Sequence, residues 1–181
     1  RYHLHLLGPT GVGKSTLLAR LALADLAAGR GAVVVDPKGD LVEDLLARVP
    51  DGLQERVDLL DPLDPSPPGL NVLEGADHDL VVDQLVGIFR RVYEQFWGPR
   101  TDDILRAGLL TLLASGPGAT LADVPRLLAD ERFREQLLAE LDDPVGLEPF
   151  WDWYEQLSEA TRAQATGPVL NKLRAFLLRR S

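Results

Sequence analysis

The sequence predicts an α/β fold, a partial parallel sheet followed by an all-helical half. Three observations predict it. A strand-like apolar segment at the N-terminus runs directly into a glycine-rich turn and a helical stretch. Two further apolar runs, each ending in aspartate, alternate with helical spacing as far as Asp61. Beyond Asn71 the β signal disappears and only helical periodicity remains.

Tyr2 to Leu7 reads as the first strand, followed by the turn and a helix from about Lys14 to Ala28, which Gly29 and Gly31 stop. Ala32 to Val35 is a β-branched run ending at Asp36, the pattern of a fully buried parallel strand. Asp40 caps a second helix through Arg48. Arg56 to Leu60 makes the third strand, ending at Asp61, a cap or turn residue. This order calls for right-handed crossovers. Pro62, Pro65, Pro67 and Pro68 with Gly69 then break the pattern, because proline neither donates to a ladder nor continues a helix. Val81, Leu85, Ile88, Phe89, Val92 and Phe96 keep helical spacing, as do Leu105, Leu109, Leu112 and Leu113. Thr101 with Asp102 and Asp103 marks a helix start, and Gly116-Pro117-Gly118 a stop. Further helices are expected from Thr120, from Asp130, around Phe150 to Leu157, and from Ser158. Gly167-Pro168 breaks the last of these before Val169, Leu173, Phe176 and Leu177 resume the stripe. The organisation is a β/α part over residues 1–75 and an all-α part over 76–181.

A chain of 181 residues with this apolar content buries a core and is not a disordered tail. No apolar run approaches the roughly 20 residues of a membrane span, and no signal-peptide pattern opens the chain, so a soluble, cytoplasmic piece without direct membrane contact is expected. Any anchor to the inner face of the cell membrane would lie outside this segment. Cysteine is absent, which excludes disulfides, thiolate metal sites and cysteine nucleophiles. Methionine is absent too and the chain opens on Arg1, which reads as a piece of a longer protein. The formal charge of −9, from 19 basic and 28 acidic side chains, opposes simple electrostatic adhesion to nucleic acid. Arg162, Lys172, Arg174, Arg179 and Arg180 form a basic end, either a solvated helix face or a phosphate-contacting patch.

Gly8-Pro9-Thr10-Gly11-Val12-Gly13-Lys14-Ser15, with Thr16 behind it, matches the phosphate-binding loop pattern in full. The glycines let successive amides turn inward toward a phosphate, and the following helix adds its positive dipole end. Lys14 supplies a cation for the β- and γ-phosphates, and Ser15 a hydroxyl ligand for Mg²⁺, so ATP with Mg²⁺ is the expected ligand. Asp36 has three readings: an acid holding Mg²⁺ through water, a general base for an acceptor hydroxyl, or a polar end to a strand.

Gly8 to Thr16, then Val35-Asp36-Pro37-Lys38-Gly39-Asp40, then Leu60-Asp61-Pro62 leading to Leu70-Asn71, resemble the HerA/FtsK superfamily of hexameric DNA-pumping ATPases. The order is most similar to the conjugative coupling proteins of type IV secretion (TraG/TraD-like), and Phe96 to Leu105 looks like that group's helical insertion. The resemblance implies a RecA-like P-loop sheet with an all-α domain inserted, a homo-hexameric ring, DNA as substrate, and relaxase or secretion-channel proteins as partners. It also places the Walker B aspartate and catalytic glutamate beyond the helical insertion. No apolar run followed by Asp-Glu occurs after Asn71, so Asp36 is the second-strand aspartate under this reading, and the isolated segment should bind ATP without turning it over. Two rivals stand beside it: a P-loop kinase of small molecules with Asp36 as base, and a nucleotide-binding module without catalysis.

Weaker candidates are few. Arg100 is either an arginine supplied in trans to a neighbouring subunit's nucleotide or a salt-bridge partner of Asp102 or Asp103. Trp97, Trp151, Trp153 and Tyr154 serve core packing or stack on single-stranded bases. His3, His5 and His78 lack the company a metal site needs, and Asp142-Asp143 before Pro144 reads as a turn.

Overall fold

The computed structural model describes residues 3–178. Tyr2, at the head of the expected first strand, and Arg179 and Arg180 of the basic end lie outside the described residues. The chain divides into two units, Arg1–Leu63 and Asp64–Ser181.

The first unit contains helix α1 (Lys14–Ala27), helix α2 (Asp40–Leu46) and a 3-10 turn at Gln54–Arg56. α1 begins after Gly13 and ends in a left-handed glycine, Gly29 (φ 75°), where Arg30 N donates back to Asp25 O at 2.8 Å. α2 packs against α1. The predicted parallel sheet is not there: no residue among 3–178 lies in a strand. The runs at 3–7, 32–35 and 57–60 carry β-type sequence but form no ladder, and Val33 and Val35 stand 92% and 84% exposed. A parallel strand needs hydrogen-bonded neighbours and an apolar layer on both faces. Among the described residues of this unit only Ala19 is buried, so neither condition is met. The partial RecA-like sheet expected over residues 1–75 is thus replaced by two helices and irregular connections.

The second unit is a helical body: α3 (His78–Val92), α4 (Pro99–Ala114), α5 (Asp123–Ala129), α6 (Glu131–Leu138), α7 (Leu147–Gln156) and α8 (Glu159–Leu177). α4 is the central helix of the unit: its first two turns carry Arg100, Asp102, Asp103 and Arg106, while Ile104, Leu105, Leu109 and Leu112 are each at most 1% exposed, and the other five helices pack around it. Gly108 faces α5, where a Cβ would make ordinary contact with Val124 Cγ1 at 3.6 Å. Side chains of Asp77, Asp130 and Ser158 accept from the first-turn amides of α3, α6 and α8, as their short polar groups suit N-cap positions.

Three boundaries differ from expectation. α4 starts at Pro99, two residues before Thr101, because proline's fixed φ and missing N–H suit the first helical position. α5 starts at Asp123, whose carboxylate accepts from Thr120 N at 2.8 Å and holds the preceding turn. α8 runs unbroken through Gly167-Pro168. The α conformation before proline is disfavoured by a clash with the preceding residue's Cβ, and glycine has none. Buried Ala165, Thr166, Val169 and Leu173 on both sides of the pair then hold the helix in place.

Candidate functional site

The loop before α1 owes its shape to its glycines. Gly11 and Gly13 both take φ 90°, which side-chain-bearing residues rarely adopt. A Cβ at Gly8 would fall 2.9 Å from Val12 Cγ2, so a side chain there would make Val12 shift. α1 has no side-chain cap and no acid in its first turn, in contrast to α3, α6 and α8. Its leading amides are therefore left without a side-chain acceptor. Lys14 Nζ folds back over the loop, donating to Gly8 O at 2.7 Å and Pro9 O at 2.8 Å, and forms no ion pair among the described residues. Thr10, Ser15 and Thr16 are exposed. Free amides, an ammonium held only by the loop's own carbonyls and an exposed hydroxyl on one turn make a donor set that fits a phosphate and its Mg²⁺.

Asp36 sits in a loop, not at the end of a strand. Its carboxylate accepts from Leu41 N at 2.8 Å, Lys38 N at 3.2 Å and Val42 N at 3.3 Å, so it closes the N-terminal end of α2. Gly39 at φ 89° turns the chain between acid and helix. Desolvation raises the carboxyl's pKa, but these amides and that of Gly39 outweigh it and hold the group below its ordinary value. An acid so engaged is a poor proton acceptor, which counts against a base role.

In the helical unit, an open cleft of about 1130 Å³ lies beside the start of α4, lined by Arg90, Arg100, Arg106, Asp102, Trp97 and Trp153 among others. Asp102 organises it. The carboxylate accepts from Arg90 and from Trp97 Nε1 (2.8 Å), and Arg106 Nε stands 3.7 Å away. Arg106 also pairs with Asp83 at 2.5 Å. Desolvation raises the pKa of Asp102, and the bonds from Arg90 and Trp97 with both arginine charges more than reverse this. Arg100 is exposed and bridges neither Asp102 nor Asp103, nor any other acid among the described residues.

The aromatic candidates separate by burial. Trp151 and Tyr154 belong to the core, with Trp151 Nε1 donating to Thr111 Oγ1 at 2.9 Å and the Tyr154 hydroxyl to Leu128 O at 2.7 Å. Trp97 is half-buried and Trp153 exposed, and both face the cleft. The described part of the basic end serves the fold: Arg162 reaches Glu155, Lys172 is buried with its Nζ 5.7 Å from the centre of the Tyr93 ring, and Arg174 donates to Asn171 at 3.2 Å. Asp143 accepts from Gly146 N at 2.9 Å and Leu147 N at 3.0 Å, holding the turn into α7. Sequence reasoning missed the cleft as a unit. The Asp102–Arg106 spacing of four residues signals one ion pair, while nothing local announces that Arg90 and Trp153 converge there.

Residues 1–136 match the model of the type IV secretion-system coupling protein DNA-binding domain. The match covers most of the 181 residues, and the chain belongs to that family of DNA-interacting coupling proteins. It takes in both the glycine-rich loop and Arg100, and leaves α7 and α8 outside. No curated protein and no solved structure gives a match. Among the described residues no helix is long and apolar enough to cross a membrane.

Proposed function

We propose that the chain is the nucleotide-binding segment of a DNA-translocating coupling ATPase that works as a homo-hexameric ring, with Mg·ATP held on Gly8 to Thr16. The observation that carries this reading is the loop: two left-handed glycines, an uncapped helix start and Lys14 resting on the loop's own carbonyls. On ligand entry the Lys14 ammonium exchanges Gly8 O and Pro9 O for β- and γ-phosphate oxygens, which are stronger acceptors because they are charged. The amides at the head of α1 would orient the β-phosphate, and Ser15 Oγ would offer Mg²⁺ a hydroxyl ligand. The metal, when bound, neutralises charge on the terminal phosphates. The capped state of Asp36 favours this over the small-molecule kinase, which requires that carboxylate as a free base. Relaxase and channel proteins are the partners such a ring would serve.

Calorimetric titration of Mg·ATP tests the reading. Lys14→Ala removes hydrogen bonds to a charged acceptor, each worth about 1.5–3 kcal/mol. Affinity should fall about ten- to a hundredfold, with the circular dichroism spectrum unchanged. Equal affinity of the two chains would remove the loop from nucleotide binding.

A further inference from the structure

We infer that the cleft at the start of α4 is a docking site for single-stranded DNA, with the indoles of Trp97 and Trp153 as base-stacking faces and Arg100 as a phosphate contact. The inference deepens the proposed function and rests on its reading of DNA as the partner.

Charge is the first argument. The chain carries −9, yet the three arginines of this cleft are balanced by Asp102, Asp103 and the Asp83 paired with Arg106, so the cleft lacks the net negative charge of the molecule. Asp102 is already engaged by Arg90, Trp97 and Arg106, and Arg106 is shared with Asp83. Among the described residues Arg100 is the one lining arginine without an acidic partner, and phosphate is the acceptor that its planar fork suits best. The aromatic pair is the second argument. The bond from Trp97 Nε1 to Asp102 satisfies the indole's one polar atom and fixes its ring. Trp153 packs on Phe150 with ring centres 5.6 Å apart and remains 37% exposed beside the same cleft. Two oriented indoles with a free guanidinium form the arrangement of a stacking platform with a backbone contact. Unpaired bases present their faces to such a platform, and bases within a duplex do not. Trp153 lies beyond the stretch matched to the family, so the site is assembled partly from α7.

The test is titration of the whole chain with an oligothymidylate of about 15 nucleotides at low salt, read by tryptophan quenching and by anisotropy of a labelled strand. Trp153→Ala should weaken binding about tenfold, the effect of one lost base stack, and Trp153→Phe should restore most of it. Arg100→Gln should lower the slope of log affinity against log salt by about 0.7, one single-strand phosphate contact. A duplex of the same length should bind without quenching. Mg·ATP affinity should be unchanged in all three variants, which separates failure of the cleft from failure of the nucleotide loop. Wild-type affinity of Trp153→Ala, an unaltered salt slope in Arg100→Gln, or tighter binding of duplex overturns the assignment. Stronger quenching by an acidic peptide than by oligothymidylate would overturn it in favour of a protein ligand.

Discussion

Asp102 binds together the end of α3 and the start of α4 through Arg90, Trp97 and Arg106. Its folded pKa lies below the ordinary 3.8, so folding favours the ionised form. The resulting stability is complete above the unfolded value and is lost as pH falls through the folded one. Asp102→Asn should therefore be less stable than the parent at pH 7, and the difference should shrink as pH drops below about 4, in urea titrations at several pH values. Tyr154 shows a second dependence. The guanidinium groups of Arg134 and Arg162 lie 5.3 and 5.0 Å from the ring centre, and both reach Glu155. Arg134 is 1% exposed, and its Nη2 has no partner, so this charge depends on Glu155 and Leu127 O. Removing one partner of a buried pair costs about 3–5 kcal/mol. Glu155→Gln should cost about 3 kcal/mol, the lower end because Glu155 is 38% exposed. All three tryptophans lie in the helical unit, so their fluorescence reports its unfolding directly. A change under about 0.5 kcal/mol, as expected for the exposed Arg48–Asp44 pair, would contradict a structural role for this cluster.

Helices were the legible elements and strands were not, for a physical reason. A helix satisfies its own backbone, so Leu85 and Phe89 on α3, and Leu105, Leu109, Leu112 and Leu113 on α4, predict burial that the fold delivers. A strand is satisfied only by a partner, and a β-branched run such as Val33-Val34-Val35 carries no information on whether that partner is present. Apolar spacing also overstates the buried face: Ile88, Val92 and Phe96 follow the α3 periodicity yet remain exposed. At Gly167-Pro168 the rule that proline ends helices overlooked the glycine before it. This predicts an inverted substitution effect. Gly→Ala within a helix ordinarily stabilises by roughly 0.5–1 kcal/mol. Gly167→Ala should destabilise α8, because the new Cβ meets the Pro168 ring. Pro168→Ala should stabilise it, by up to about 3 kcal/mol. Thermal unfolding of the two variants in opposite directions checks the account; shifts of the same sign would refute it.

Across the whole molecule, stability and ligand chemistry are unevenly spread. The helical unit holds the core, while the unit with the glycine-rich loop buries only Ala19 among its described residues and exposes Leu4, Leu7, Val33, Val35 and Leu60. Opening free energy follows buried contact, so amides of residues 15–46 should exchange with solvent faster than those of 101–113. The glycine-rich loop is a local feature of nine consecutive residues, so its candidate donors can be read from sequence alone. The cleft was not legible, because its side chains come from α3, the connection before α4, α4 and α7 and meet only in the folded body. The central claim, that nucleotide rests on this loop, is tested most directly by hydrogen exchange with and without Mg·ATP. The account predicts slowed exchange confined to the segment from Gly8 to about Leu18, lost in Lys14→Ala, with the helical unit unaltered. Protection that falls elsewhere, or that survives Lys14→Ala undiminished, would contradict it.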